Sequence, residues 1–404
     1  MTRMTAFALL LLAASASTQG IYSTDSLAGW EEPGRIQMQE AGGNCLRLKT
    51  CNTVLGVATS AVSGGSAYDS RFQALWVSNG QGIQLRSLDT CNPICSFAAA
   101  HSAANMHVSG LAFDADHKLL WQVEQDGAGH FGYVVYDVSG APTTCATPLR
   151  RCSGNLPVTG GFVAGLAYDV LRNVIYTTIS WNDNGYKHAI IVTEPSDPCR
   201  IVCRWTLPSS ACPQRILQGA AYDACNRRLT VTDGIVVQTI VVGDPRLCQM
   251  TLGTCCPAAA LYRGLAFVPG WGARRAGASC LGAGCRSCPT MRGSVIGGAP
   301  ALGSDRFGFS LIDAPSGDIG VLFVQVGACS PPVTAFCGQF YAWNAPLIFA
   351  QPIVGVGCNG TAEQRFPIPA IPAACGHPLC AQWLVVCGGG SLGLSDAVEV
   401  LITQ

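Results

Sequence analysis

A short phrase recurs five times in the first two thirds of this 404-residue chain. It reads Gly, a small or aliphatic residue, Ala, an aromatic residue and, in four of the five copies, Asp. The copies are residues 65–69, 110–114, 165–169, 219–223 and 264–268, so their aromatic residues lie 45 to 55 positions apart. This period is typical of radially repeated sheets rather than of helical solenoids. The repeat therefore predicts an all-β fold built from similar units.

The second copy illustrates the content of one unit. Predicted strands follow one another at residues 108–113, 119–123 and 131–137, with polar turns between them, and a fourth strand would carry Cys145 and Cys152. Four antiparallel strands in about 45 residues make one propeller blade. We therefore predict that each copy of the phrase is the inner strand of a blade.

The last copy of the phrase, at residues 264–268, lies directly before the predicted end of the propeller and is not followed by three further strands. Residues 21–54 precede the first copy and carry no phrase of their own. The simplest account is that they supply the outer strands of the blade whose inner strand is 264–268. The sequence thus predicts a five-bladed β-propeller over residues 17–269, closed by its N-terminal strands.

Each position of the phrase has a structural explanation. Gly lets inner strands approach closely around the axis, and the aromatic residue fills the space between blades. The Asp residues can accept hydrogen bonds from backbone amides in the turn that follows. Alternatively, they would form a ring of acidic ligands; the four are Asp69, Asp114, Asp169 and Asp223.

The 22 cysteines are even in number and predict up to eleven disulfides in an oxidising compartment. Several are separated from a second cysteine by three to six intervening residues in the outer part of a repeat, where they are expected to bridge one hairpin. We predict disulfides within the pairs 45 and 51, 91 and 95, 145 and 152, 199 and 203, and 248 and 255 (or 256), and we predict two further disulfide cysteines in the C-terminal third. The predicted disulfide cysteines are Cys45, Cys51, Cys91, Cys95, Cys145, Cys152, Cys199, Cys203, Cys248, Cys255, Cys329 and Cys337.

The N-terminus and the charge pattern indicate where the protein works. Residues 1–16 have a basic start, a short apolar run and a small-residue cleavage site, which predicts a signal peptide and a secreted or extracellular surface protein. No stretch reaches the roughly 20 apolar residues of a transmembrane helix. The 24 basic and 24 acidic residues form no basic run, which argues against a nucleic-acid partner and is compatible with self-association.

The C-terminal third has a different composition. Residues 270–292 are rich in Gly and Cys and predict a linker held by Cys280, Cys285 and Cys288, for which disulfides are favoured over a zinc site. Residues 293–404 contain short predicted strands separated by Pro, Gly and Asp turns. This pattern predicts a small antiparallel β-sandwich.

Two resemblances add to this interpretation. The phrase and its sequel at residues 165–176, GLAYDVLRNVIY, resemble repeats of the NHL and YVTN-like propeller superfamily, over about residues 44–268. That superfamily contains binding scaffolds and some enzymes, so the resemblance implies architecture and no catalytic residue. Residues 298–303, 307–311 and 393–402 resemble a tail domain of large secreted proteins of environmental bacteria, for which no activity is implied.

Two catalytic patterns occur without the context that they need. Residues 389–393 match G-x-S-x-G, but the last histidine of the chain, His377, comes before them. Residues 355–360 match G-x-G-x-x-G, but the Pro-rich segment 366–372 follows in place of a helix. Both are therefore interpreted as loops.

One turn outside the repeat register is the candidate ligand loop: Trp181, Asp183, Asn184 and His188. Its oxygen atoms suit a structural calcium ion, although the ligand set is incomplete, and Trp181 suits stacking on a sugar. His188 and His130 precede third strands of neighbouring blades and would come together on one face. Trp76 and Trp121 stand at a repeated strand position, which indicates packing between blades.

Two functions remain open at this stage. The first is a non-catalytic extracellular structural unit of a surface, matrix or filament, or an adhesive module, with itself or an extracellular glycan or protein as partner. The second is a propeller hydrolase or lyase acting on extracellular carbohydrate or lactone. The second requires several carboxylates or histidines that converge at one axial end.

Overall fold

The computed structural model describes residues 26–31, 35–40, 47–52, 64–88, 90–258, 262, 264–268, 274–289, 291–297, 300–369 and 371–403. The chain divides into two compact units, Met1–Gly270 and Trp271–Gln404. The predicted signal peptide lies outside the described residues. The described fold is almost entirely β-structure, with one 3-10 turn at Pro372–Ala374. No helix in these ranges is long and apolar enough to cross a membrane.

Five four-stranded antiparallel sheets make up the described part of the first unit. The first three strands of the chain belong to the last blade, which we number the fifth. They are β1 (Ser26–Glu31), β2 (Arg35–Glu40) and β3 (Arg47–Asn52). The first blade follows with β4 (Gly65–Asp69), β5 (Ala74–Ser78), β6 (Gly82–Ser87) and β7 (Pro93–Ala98). The second blade contains β8 (His107–Asp114), β9 (Leu119–Gln125), β10 (His130–Asp137) and β11 (Thr147–Asn155).

The third and fourth blades repeat the same order. The third contains β12 (Phe162–Asp169), β13 (Val174–Asn182), β14 (Tyr186–Glu194) and β15 (Asp197–Thr206). The fourth contains β16 (Gly219–Asp223), β17 (Arg228–Thr232), β18 (Val236–Val242) and β19 (Met250–Pro257). Strand β20 (Ala266–Val268) then returns to the fifth blade.

The N-terminal strand completes the last blade, as the sequence predicted. Strand β1 pairs antiparallel with β20, with Leu27 opposite Phe267 and Ala28 opposite Ala266. The sheet order is β20, β1, β2, β3. Closure by backbone hydrogen bonds removes a free sheet edge at the point where the ring begins and ends.

The five motif glycines show that the sheets form a closed ring. A Cβ atom added to Gly65 would lie 2.7 Å from the Leu111 backbone nitrogen, next to Gly110. The same relation joins Gly110 to Gly165, Gly165 to Gly219, Gly219 to Gly264 and Gly264 back to Gly65. Real Cβ atoms do not approach backbone this closely, so only glycine fits at these positions. The first unit is therefore a β-propeller whose inner strands touch around the axis.

Apolar clusters fill the spaces between successive blades. The motif aromatics lie in them as predicted: Tyr68 between the fifth and first blades, Phe113, Tyr168 and Tyr222 at the next three junctions, and Phe267 between the fourth and fifth. Trp76 and Trp121 are fully buried in two of these clusters, which confirms their packing role. Burial of large aromatic side chains contributes strongly to the stability of such interfaces.

The motif Asp residues cap turns and do not form a ring of ligands. Their Oδ1 atoms accept hydrogen bonds from backbone amides two or three residues later. Their Oδ2 atoms accept hydrogen bonds from side chains of the same turn. The amide donors are Arg71 for Asp69, Asp116 for Asp114, Leu171 for Asp169 and Asn226 for Asp223, at 3.0 to 3.1 Å. The side-chain donors are Arg71, His117, Arg172 and Asn226.

Disulfides cross between neighbouring blades, so the predicted pairing within hairpins is wrong. Cys95 bonds Cys145, Cys152 bonds Cys199 and Cys203 bonds Cys248, with Cα atoms 5.7, 6.1 and 5.6 Å apart. Cys212 in the loop before β16 bonds Cys255 of β19. The predicted partners Cys199 and Cys203 lie on one strand, β15, about 13 Å apart at the usual rise of a strand, which exceeds the reach of a disulfide.

The remaining predicted cysteines that the structure describes are also disulfide-bonded. Cys91 is disulfide-bonded, but Cys95 is not its partner. In the second unit Cys329 and Cys337 are disulfide-bonded as predicted, and the bridges among its described residues include Cys280 with Cys337, Cys285 with Cys387, Cys288 with Cys358 and Cys329 with Cys380. The preference for disulfides over zinc at Cys280, Cys285 and Cys288 is thus confirmed. Cys45 and the side chain of Cys51 lie outside the described residues.

The second unit contains two main antiparallel sheets and a hairpin. Its strands are β21 (Arg274–Ala276), β22 (Cys280–Leu281), β23 (Arg292–Ile296), β24 (Gly308–Ala314), β25 (Ile319–Val326), β26 (Val333–Ala335), β27 (Gly338–Phe340), β28 (Leu347–Pro352), β29 (Gly360–Arg365), β30 (Pro378–Val386) and β31 (Leu392–Leu401). The larger sheet has the order β21, β31, β30, β25, β28, with β22 also on β31. The smaller sheet is β23, β24, β29, and β26 pairs with β27.

The segment predicted as a linker belongs partly to this unit. Within residues 270–292, strands β21 and β22 pair with β31, with Arg275 opposite Val398 and Cys280 opposite Leu394. These strands are only two or three residues long, which explains why the sequence showed no strand periodicity. Contacts between the two sheets, such as the hydrogen bond from Gly293 N to Asp396 Oδ1 at 2.6 Å, suit the predicted sandwich.

Candidate functional site

The loops at one end of the blades offer the most chemistry in the propeller. We call this end the loop face; it consists of the loops before inner strands and the turns between second and third strands. In the third blade, for example, Phe162 at the start of β12 is opposite Ser180, next to the turn after β13. Loops tolerate changes in sequence and length while the strands hold them in place, so a ligand site is expected in such a cluster of loops.

The predicted ligand loop occupies this face but is already internally paired. Asp183 Oδ2 lies 2.5 Å from Lys187 Nζ, and both side chains are largely exposed. Asn184 has a left-handed backbone (φ 54°) at the tip of the turn. Trp181 is half-buried, and the Arg204 guanidinium lies 5.1 Å from its ring centre. Cation–π packing of this kind holds Trp181 against its own blade.

The structure separates His188 from Trp181. Register pairs alternate along the hairpin, with Ser180 opposite His188 and Trp181 opposite Lys187, so Trp181 and His188 lie on opposite faces of the sheet. His188 is buried, its Nδ1 is 3.0 Å from Ser180 Oγ, and that oxygen accepts a hydrogen bond from Leu217 N. The four predicted residues therefore do not form one site.

The expected meeting of His130 with His188 is also not observed. His130 contacts Asp126 of its own turn, with Nδ1 2.5 Å from Oδ2, and both groups are near solvent. In the part of the chain that the structure describes, no three His, Cys, Asp or Glu side chains are grouped closely enough to hold a metal ion. Calcium at Asp183 stays an untested expectation.

Burial gives His188 a role in acid stability. Burial is the largest influence on its imidazole and lowers its pKa, while the Pro213 carbonyl and the Asp233 charge act in the opposite direction. In the unfolded chain the pKa is about 6.5, so the unfolded state binds the proton first as the pH falls. The stabilisation is complete above about pH 7.5 and is lost as the pH falls through 6.5, by at most about 1.4 kcal/mol per pH unit.

We expect His188→Gln to reduce this acid dependence. The amide retains a hydrogen-bonding group for Ser180 but does not titrate. Urea denaturation of the wild type and the variant at several pH values between 5 and 8 measures the difference. A variant with the same slope as the wild type would contradict the role of His188.

A buried polar cluster that the sequence analysis missed lies between the first two blades. Glu124 is fully buried and accepts hydrogen bonds from Ser102 N at 2.5 Å and Gln122 Nε2 at 3.0 Å. His101 Nδ1 lies 2.8 Å from Glu124 Oε2. The Tyr136 hydroxyl donates to Gln122 Oε1, and burial raises the pKa of Tyr136 above its usual value. The available signal was the acidic residue Glu124 in strand β9, LLWQVEQ, between the polar residues Gln122 and Gln125 of the same predicted strand.

This cluster anchors a loop, and its carboxylate is shielded from solvent. His101 and Ser102 belong to the connection from β7 to β8, whereas Glu124 and Gln122 belong to β9. A buried carboxylate is stable only when hydrogen-bond donors surround it, and three donors do so here. The cluster therefore fixes the connection between two blades.

An open groove of about 410 Å³ lies on the first blade. It is lined by Asn79, Gln81, Gly82, Ile83, Gln84, Ser96, Phe97 and Ala98. Neutral amides beside an aromatic ring are suited to uncharged polar ligands such as sugars.

The second unit exposes an apolar sheet surface, which we call the outer sheet face: Ile319, Val321, Ile348, Leu384 and Val386. Register places Ile319 opposite Val386, and Val321 opposite Leu384, on one side of strands β25 and β30. Ile348 of β28 is opposite Phe323, which also lies on this side. Ile348 and Ile319 are 58% and 51% exposed. Exposed apolar surface without charge is typical of contact sites.

Comparisons with known proteins add little to this picture. No protein-family model matches the sequence, and no curated protein matches it. The Cps50 (Swd1) β-propeller domain of Myceliophteria thermophila is 8% identical, with 93% of this chain and 92% of that chain covered and a TM-score of 0.34. The periplasmic gluconolactonase PpgL of Pseudomonas aeruginosa is 16% identical, with 55% and 64% covered and a TM-score of 0.34.

A functionally unknown protein from Desulfotomaculum acetoxidans is 7% identical, with 59% and 69% covered and a TM-score of 0.35. Identities this low do not transfer an activity or a ligand. The fold and its bridges define the class: this is a disulfide-rich β-propeller protein with a second β-structured unit.

Proposed function

We propose that this protein is an exported, non-catalytic building block of an extracellular surface, matrix or filament. The observation that carries the proposal is the set of disulfides that join the outer parts of successive blades: Cys95 of β7 to Cys145 just before β11, Cys152 of β11 to Cys199 of β15, and Cys203 of β15 to Cys248 just before β19. Disulfides of this density form and persist in oxidising environments. Bridges between blades oppose the separation of blades, which is the deformation that an extended assembly under load imposes.

The charge pattern of the loop face favours this function over the enzyme alternative. A propeller hydrolase or lyase needs acids, bases or a metal that converge on one reacting atom. The acidic side chains described above are instead paired one by one: Glu124 with His101, Asp126 with His130 and Asp183 with Lys187. Asp126 and His130 belong to one turn of the second blade, and Asp183 and Lys187 to one hairpin of the third. Glu124 of the second blade pairs with His101 of the connection that leads into that blade. The groove on the first blade supports an adhesive version of the function, with a neutral glycan as partner.

Fractionation of native material tests the proposal. Source cells are separated into cells, extracellular fluid and insoluble extracellular material, and the protein is located with an antibody. We expect it in the insoluble extracellular fraction, with release by denaturant. Recovery as a monodisperse soluble monomer without surface attachment, or turnover of a polysaccharide or lactone by the purified chain, would contradict the proposal.

A further inference from the structure

The larger sheet of the second unit ends in an edge strand that has no hydrogen-bonded neighbour strand on its outer side among the described residues. Strand β28 stands last in the sheet order and pairs on one side with β25, from Ile319 opposite Pro352 to Val324 opposite Leu347. Its sequence, LIFAQP, contains no charged residue, and prolines stand only at its two ends, with Pro346 just before the strand and Pro352 as its last residue. Natural edge strands usually carry Lys, an early Pro or a bulge, because a bare edge pairs with other strands.

Apolar surface is concentrated around this edge. Leu347 and Ile348 of β28 are 42% and 58% exposed, and Ile348 adjoins the outer sheet face. Among the large apolar side chains that are exposed in the described chain, eleven belong to the second unit and six to the longer propeller. An uncharged edge next to an uncharged face is suited to β-strand addition, in which backbone hydrogen bonds and apolar contacts act together.

We infer that β28 pairs antiparallel with β28 of a second copy of this chain. An antiparallel strand pair can have twofold symmetry, so one strand can serve as both partners of an isologous interface. Such pairing extends the sheet across both copies and brings their outer sheet faces side by side. The chain has equal numbers of basic and acidic residues, so net charge does not keep two copies apart. The uncharged strand and face offer no attraction to a charged partner or an anionic membrane.

This inference rests on the proposed function and specifies its self-association. Ile348→Lys and Ala350→Lys each place a charge on the exposed side of the edge strand, where it opposes pairing but remains hydrated in the monomer. Leu247→Lys is the matched control, because Leu247 is 68% exposed and belongs to the propeller rather than to the unit that contains β28. Circular dichroism and thermal unfolding check that all three variants fold.

Light scattering after gel filtration and sedimentation velocity, on the full mature chain at micromolar to tens of micromolar concentration, measure the association. We expect a wild-type dimer, a dissociation constant raised by at least about 10-fold in Ile348→Lys and Ala350→Lys, and no change in Leu247→Lys. Hydrogen exchange is expected to be slow at residues 347–352 in the dimer and fast in the two edge variants.

Three outcomes would overturn the inference. They are a wild-type monomer throughout the concentration range, a dimer that both edge variants leave intact, and a monomer in which residues 347–352 are protected because another part of the chain covers them. The failure of this inference can be distinguished from the failure of the proposed function. Insoluble extracellular location without a β28 dimer overturns only this inference, whereas a β28 dimer recovered wholly in extracellular fluid overturns only the proposed function.

Discussion

Replacing both Cys152 and Cys199 by Ser is expected to lower the free energy of unfolding of the propeller by about 4 kcal/mol. The bridge joins β11 of the second blade to β15 of the third and closes a loop of sequence separation 47. Removing it frees the unfolded chain and allows the two outer strands to separate. Equilibrium urea denaturation of the oxidised proteins, followed by tryptophan fluorescence, measures the loss.

The control is a bridge of the other unit. Cys285→Ser with Cys387→Ser removes a bridge between residues 102 positions apart, and its effect is expected on the unfolding of the second unit alone. The propeller transition of that variant should coincide with that of the wild type. A loss below about 1 kcal/mol in Cys152→Ser with Cys199→Ser would mean that the bridges do not hold the blades together.

Gly110→Ala is expected to prevent folding of the propeller or to destabilise it by more than about 4 kcal/mol. The added Cβ would lie 2.7 Å from Leu166 N and 2.8 Å from the Gly165 carbonyl carbon, both of which are backbone atoms of the next inner strand. That strand cannot retreat, because it is in contact with the following blade in the same way. Soluble yield and the urea midpoint of the variant measure the effect.

Gly82→Ala is the matched substitution. Gly82 lies in β6 of the same propeller, and its added Cβ would meet nothing closer than Asn79 Oδ1 at 3.7 Å. The expected change is within about 1 kcal/mol, because Ala has less backbone entropy to lose than Gly. If Gly110→Ala were tolerated as well as Gly82→Ala, the inner strands would not meet around the axis as described.

The propeller could be predicted because its constraints repeat in the sequence. A glycine is required wherever inner strands touch, so Gly65, Gly110, Gly165, Gly219 and Gly264 mark the axis at regular spacing. The aromatic three residues later marks the space between blades. Closure by β1 followed from counting strands, since the last copy of the phrase had no successors.

Disulfide partners could not be read in the same way. Cys199 and Cys203 are close in sequence, but they lie on one extended strand and reach opposite neighbours, Cys152 and Cys248. Proximity in sequence is a guide to bridging only across a turn. Strands β21 and β22 were missed for a related reason: they are too short for a period and exist through pairing with β31.

The candidate site shows the limit of arguments from residue type. Trp181, Asp183, Asn184 and His188 are near one another in sequence, but strand alternation places Trp181 and His188 on opposite faces. Conversely, His101 and the buried Glu124 form a pair across 23 positions of sequence. Such a pair depends on where the connection between two blades lies against the second of them. A local sequence pattern contains no information about that position.

Mapping the disulfides of the unreduced protein by proteolysis and mass spectrometry is the most direct test of the ring with bridged blades. The structure predicts linked peptides that join Cys95 to Cys145, Cys152 to Cys199 and Cys203 to Cys248. Linked peptides that join Cys91 to Cys95, Cys145 to Cys152 and Cys199 to Cys203 would contradict it, because each cysteine can belong to only one of the two patterns.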